Sequence, residues 1–164
     1  MEQGRMPREP QPNEPFDEPA FDQIAPISRM HVQAMETMDD DAVWIGAGMH
    51  QVIVCTIGRK SGNEHKVALP VWFDDDGHRI VVASYAGNDR HPHWYLNLAD
   101  KDANPEVKVR AQDHEFWADA QILEGGEYDE VWQQLVVDRA YYDNYQTRTM
   151  RKLPLVRLVE IRPA

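Results

Sequence analysis

The sequence predicts a mainly β domain with flanking helices (α+β), in which about six antiparallel strands form a closed or half-closed sheet. Three observations predict it. Beyond residue 50 the apolar residues fall into short runs bounded by turn signals, not into a sustained helical period. Asp76-Gly77 supplies a hairpin turn, because Asp-Gly tolerates the positive φ angles that a tight turn needs. Strand runs follow one another and the helical patterns gather in a few places, whereas a doubly wound fold would alternate the two.

Residues 1–28 differ from the rest. They hold six of the eleven prolines among scattered acids, and such a segment buries too little apolar surface to offset its ordering entropy. It reads as a disordered or loosely draped tail, with Phe16, Phe21 and Ile24 as its possible pins, ahead of one domain over residues 29–164. Ser28 is placed to cap a helix reaching about Met38. Met30, Ala34, Met35 and Met38 share one face of it, as core packing or as a Met-rich wall over a ligand.

The strand runs are 51–56, 66–73 (with Pro70), 78–84, 107–110, 116–123 and 155–161. A loop over 85–93 leads into a short helix over 94–99, and Asn104-Pro105 marks a turn. Residues 107–110 and 116–123 pair through a turn at 112–113, and Gly125-Gly126 closes that pair. Residues 127–139 read as a helix with Tyr128, Val131, Trp132 and Leu135 on one face. A second short helix covers about 141–149.

Composition excludes several classes. The 164 residues suit one domain, and 42% hydrophobic residues provide one modest core. A net charge of −11 disfavours nucleic acid, whose phosphates reward basic surfaces. No apolar run approaches the roughly 18 residues of a transmembrane helix, and the N-terminus lacks the apolar core of a secretory signal. A cytoplasmic location follows as the expectation. Peripheral contact of the tail with a membrane stays open, although its acidity opposes anionic lipid. Cys55 is the only cysteine, which rules out an intramolecular disulfide and a cysteine-based zinc site. It reads as a buried small hydrophobe or a reactive thiol.

Three constellations carry chemistry. In Gly58-Arg59-Lys60-Ser61-Gly62 a tight turn follows a strand, with two glycines, two cations and a hydroxyl. It is either a solvated basic hairpin or, through its backbone N–H groups, an anion site. Its spacing is not that of a P-loop. In His91-Pro-His-Trp-Tyr-Leu-Asn97 a loop enters a helix whose start favours anions, and the aromatics can pack on a planar ring. His91 and His93 lack the further ligands that a metal requires, so no metal is expected. In Tyr141-Tyr142-Asp-Asn-Tyr145 the hydroxyls can hold a carbonyl oxygen or donate a proton, or the rings can simply pack. Hydrolytic patterns are weak, so an enzyme built this way would leave the hard chemistry to a bound cofactor.

Taken in order, these residues resemble the deazaflavin-dependent nitroreductase family. The resemblance rests on Thr56-Ile-Gly-Arg-Lys-Ser-Gly62, Val82-Ala-Ser84 with Gly87, and His91-Pro-His-Trp-Tyr-Leu-Asn-Leu98. Asn104-Pro-Glu-Val107 and Tyr145-Gln-x-x-Thr149, with Arg151 and Pro154, extend it across about residues 52–160. It implies a six-stranded antiparallel split β-barrel of FMN-binding type. It further implies a reductase that passes a hydride from reduced coenzyme F420 to a quinone, nitroaromatic or activated enone. By position, Arg59, Lys60 and Ser61 would face the phosphate end of the coenzyme, with His65, Lys66 and Val67 beside them. Val82, Ala83 and Ser84 would line the ring, Tyr85 would stack or hydrogen-bond beside the coenzyme, and His93, Trp94, Tyr95, Leu96 and Asn97 would pack against the ring. Tyr142, Tyr145 and Ser84 would serve the acceptor. Tyr85 stands where the family often has Lys, His65 where it often has Arg, and Ala68 where proline is frequent. Two other readings use the same barrel: a non-catalytic binder of lipid, haem or coenzyme, and an FMN-dependent reductase. A monomer or homodimer and an actinobacterial source complete what the resemblance implies.

Overall fold

The computed structural model describes residues 21–46 and 48–164, so the expected tail lies outside the described residues as far as position 20. Helix α1 covers Phe21–Thr37 and begins seven residues before the predicted start at Ser28. It contains Pro26, which removes one backbone donor near the start of the helix. Ser28 does not cap α1. Its Oγ accepts the N–H of Ala68 at 3.2 Å and ties the helix to the sheet. The buried line of α1 runs through Val32 and Met35. Met30 is 71% exposed, so the expected methionine stripe splits between core and solvent.

A single turn, α2 (Asp41–Trp44), and a two-residue strand, β1 (Ile45–Gly46), lead into the barrel. Its strands are β2 (Met49–Ile57), β3 (Glu64–Pro70), β4 (Trp72–Phe73), β5 (Arg79–Val82), β6 (Val107–Arg110), β7 (Glu115–Ile122) and β8 (Leu155–Pro163). All pairings are antiparallel. Between them lie a 3₁₀ turn at Tyr85–Gly87 and helices α3 (His93–Ala99), α4 (Gly125–Asp138) and α5 (Tyr141–Thr147).

The pairing order β3-β2-β6-β7-β8-β5-β4 returns to its start through Val71, which joins β3 to β4. Val71 N–H donates to His50 O at 2.9 Å at that junction. The predicted 66–73 run is thus one strand broken in two, with Pro70, which lacks a donor, at the break. This break and the short β1 account for eight β segments where six runs were expected. The antiparallel barrel stands, with a strand count among the described residues that differs slightly from six.

Strand alternation separates the apolar layers. Val52 and Val54 of β2 join Val81, Val109, Phe116 and Leu158 inside the barrel. Ile53 faces out and is covered by Met35 and Trp44. Ile80 and Val82 of β5 face the other way from Val81, against Leu135 of α4 and Tyr142 and Tyr145 of α5. Gly125 and Gly126 belong to the first turn of α4, two residues ahead of the expected start. Among the described residues no helix is long and apolar enough to cross a membrane.

Candidate functional site

The 58–62 turn caps the β2–β3 hairpin and is closed by Gly58 N–H to Asn63 O (2.7 Å) and Gly62 N–H to Gly58 O (2.9 Å). Both positions favour glycine. A Cβ on Gly58 would lie 2.4 Å from Ser61 Oγ and 3.0 Å from His65 Nε2, and Gly62 has φ +72°. Two buried asparagines fasten this turn to α3. Asn97 Oδ1 accepts from Arg59 N–H (3.2 Å) and from Arg59 Nη1 (2.8 Å). Asn104 Oδ1 accepts Ile57 N–H (2.7 Å), and its Nδ2 donates to Ile57 O and Asn97 O, both at 2.8 Å. The basic turn and the aromatic helix therefore form one rigid unit.

The 83–91 loop leaves β5 through three consecutive residues in the left-handed region: Tyr85 (φ 45°), Ala86 (φ 53°) and Gly87 (φ 80°). Gly87 is pressed against α5, so that a Cβ there would stand 2.5 Å from Tyr145 O. Arg148 lies over the Tyr145 ring at 5.1 Å and donates to Ala86 O at 3.3 Å. Farther along, the His91 ring lies against Tyr95 of α3 with centroids 4.8 Å apart and planes tilted by 44°. The fold thus links the second predicted constellation to both the first and the third.

The predicted residues divide by face and depth. Arg59 is half-buried, while Lys60, Ser61 and His65 are exposed around the turn. Val67 packs toward the barrel interior. Lys66 alternates to the opposite face, where its Nζ pairs with Glu36 of α1 at 2.9 Å. Val82 and Ala83 are buried and Ser84 and Tyr85 half-buried at the end of β5. His93 is exposed at the start of α3. Trp94, Tyr95 and Leu96 are half-buried, and Asn97 is spent on the struts just described. Tyr142 and Tyr145 are only 3% and 6% exposed. Tyr145 borders the 84–87 turn, whereas Tyr142 lies deeper, its ring 4.4 Å from that of Tyr141. Burial, then the charge of Glu124, holds the Tyr95 phenol above its ordinary pKa, so it stays protonated.

The sequence model of the F420H(2)-dependent quinone reductase family matches residues 27–160. The chain belongs to that family. An F420H(2)-dependent quinone reductase of Mycobacterium tuberculosis H37Rv is 33% identical over 108 residues, covering 64% of this chain and 70% of the relative. A second, putative one from the same strain is 29% identical over 68% of this chain and 94% of its own. A solved F420-H2 dependent reductase, FDR-A, superposes with a TM-score of 0.55 at 35% identity, over 66% of this chain and 92% of that one. A solved domain-swapped dimer superposes with a TM-score of 0.58 at 30% identity, over 79% and 95%.

As a member of this family the chain is an oxidoreductase whose cofactor is coenzyme F420. The donor set fits that group. Arg59, Lys60 and Ser61 offer N–H and O–H donors to an anion on a chain that is otherwise strongly acidic. A Cβ on Gly58 would crowd Ser61 and His65 in this turn, and Gly62 holds a φ of +72° that disfavours a side chain.

Sequence reasoning missed the struts. Asn104 read as a turn residue and as part of a family motif, and no local spacing links it to Ile57, 47 residues away. Cys55 sits half-buried on the outer face of β2, away from this site. Burial, then Glu64, pushes its thiol up to about 11, which favours the inert reading.

Proposed function

We propose that this F420H(2)-dependent reductase takes a quinone as its acceptor, binding the coenzyme along the face formed by the 58–62 turn, α3 and the 83–85 end of β5. The observation that carries this reading is the double hydrogen bond from Arg59 to Asn97, which locks the basic turn to the aromatic helix. Bound reduced F420 supplies the hydride. Arg59, Lys60 and Ser61 hold its anionic tail, with His65 alongside. Val82, Ala83 and Ser84 present the end of β5 to the ring, and Trp94, Tyr95 and Leu96 of α3 exclude water from it. Tyr85 takes the family's lysine position as a neutral packing and hydrogen-bonding group.

Tyr145, which borders the turn that Ser84 opens, holds with Ser84 the acceptor oxygen on which negative charge develops, and provides the proton that completes reduction. Tyr142 backs Tyr145 from within the core. A homodimer is in keeping with the domain-swapped relative, and a cytoplasmic location with the absence of a spanning helix among the described residues.

The test is a fluorescence titration of the full-length protein with F420, with FMN in parallel. Micromolar or tighter binding of F420, weakened roughly tenfold or more in Arg59→Ala/Lys60→Ala, is expected; loss of about 1.4 kcal/mol suffices for that factor. Preference for FMN, or F420 affinity indifferent to both substitutions, would overturn the reading.

A further inference from the structure

Gln146, Thr149 and Arg151 have no part in the contacts proposed for coenzyme or acceptor, yet they form one hydrogen-bonded device. Gln146 Nε2 donates to Arg151 O at 2.7 Å and its Oε1 accepts Leu153 N–H at 3.0 Å, while Thr149 Oγ1 accepts Arg151 N–H at 3.2 Å. With its backbone pinned to α5 in this way, Arg151 extends its guanidinium across the 83–91 loop. Nη2 donates to Ser84 O (2.7 Å), Nη1 to Ala83 O (3.0 Å) and to His91 Nδ1 (3.2 Å), and Nε to Asn88 O (2.7 Å).

These acceptors bracket the left-handed run at 85–87. A non-glycine residue in that region costs roughly 1–2 kcal/mol, so Tyr85 and Ala86 persist only where the surroundings over-determine them. Arg151 clamps the carbonyls on both sides of the run. It also decides the state of His91. A guanidinium has no acceptor atom, so Nδ1 of His91 must present its lone pair, and the ring proton sits on Nε2. The imidazole beside Tyr95 is then neutral.

We propose that Arg151 is the positioning residue of the coenzyme face: it holds the strained 83–91 loop in its binding shape and fixes His91 as the neutral Nε2–H tautomer. This inference rests on the reading of that loop as part of the coenzyme site. Burial, and then the charge of Arg151, holds His91 below its ordinary pKa, which agrees with the geometry. Lysine cannot replace Arg151, because one ammonium does not span four acceptors in a planar fork.

The experiment compares the full-length protein with Arg151→Lys and Arg151→Ala. Side-chain ¹⁵N NMR follows the tautomer and titration of His91 without coenzyme, F420 fluorescence gives Kd, and thermal melting reports folding. In the parent protein a single Nε2–H tautomer is expected, titrating below the ordinary histidine range. Both variants should mix tautomers, titrate closer to an ordinary histidine and bind F420 about tenfold more weakly. Arg151→Lys should group with Arg151→Ala in Kd while melting close to the parent, and it carries the test where Arg151→Ala fails to fold. Unchanged His91 spectra, or unchanged Kd in a parent that binds F420, would overturn the proposal. A parent protein that does not bind F420 would overturn the functional reading instead, and the His91 spectra would still decide the role of Arg151.

Discussion

Asn97 Oδ1 accepts two hydrogen bonds from a single residue, the backbone N–H of Arg59 at 3.2 Å and its Nη1 at 2.8 Å. One side-chain oxygen thereby sets both the path of the 58–62 turn and the direction of its half-buried cation. Replacing Asn97 with Ala strands the Arg59 N–H, a cost of about 2 kcal/mol. For a chain of this size, melting should fall by roughly 4–8 °C. The F420 Kd, measured by fluorescence, should rise although Asn97 itself is buried.

Tyr145→Phe keeps the ring that packs beneath the 84–87 turn and removes only the hydroxyl. Loss of a donor to a developing oxyanion lowers turnover on the order of a hundredfold. Steady-state kinetics with a quinone acceptor, set beside the F420 Kd, should show kcat falling and Kd holding. Full turnover would remove the role given to this hydroxyl.

Gly87→Ala meets two obstacles at once. Its φ of +80° is strained for any L side chain, at roughly 1–3 kcal/mol. Its Cβ would also stand 2.5 Å from Tyr145 O, a backbone atom that moves only if α5 moves. Thermal melting should show a marked loss of stability, whereas Gly126→Ala, which meets nothing within 4 Å, should be benign.

His114 gives the fold a pH dependence remote from the site. It bonds Asp113 at 2.8 Å and Glu160 at 3.1 Å, and Glu160 also faces Arg79 at 4.0 Å. Burial opposes the imidazolium, but the hydrogen bonds to the two carboxylates outweigh it, and its pKa is raised. A raised histidine stabilises fully below its unfolded pKa, about 6.5, and the gain is lost as pH rises through the folded value. The Asp113 carboxyl, lowered chiefly by its hydrogen bond to His114, stabilises above the ordinary carboxylate range and loses this as pH falls through its own folded value. Denaturant melts should therefore be most favourable between those limits, and His114→Gln should flatten the loss on the alkaline side.

Cys55 should react slowly. With its thiol at about 11, its thiolate fraction near neutral pH falls roughly a hundredfold below that of a free cysteine. Timed alkylation of the native and the unfolded chain measures that ratio, and equal rates would contradict it.

The sequence determined the elements that local pattern controls. A short apolar run marked the strand over 51–56, Asp-Gly fixed the 74–77 hairpin, and a 3.6-residue period fixed the buried face of α4 at Tyr128, Val131 and Leu135. The ordered motifs also marked the family, because each is a short contiguous segment that can be read without the fold. Tertiary structure decided the rest. The start of α1 depends on docking to β3 through Ser28 and Ala68, and the break at Val71 depends on two sheet ends that must share one strand. Asn97, Asn104 and Arg151 act across 38 to 68 residues of chain. A hydrogen bond of that span leaves no period or spacing to read, since its partners become neighbours only when the barrel closes.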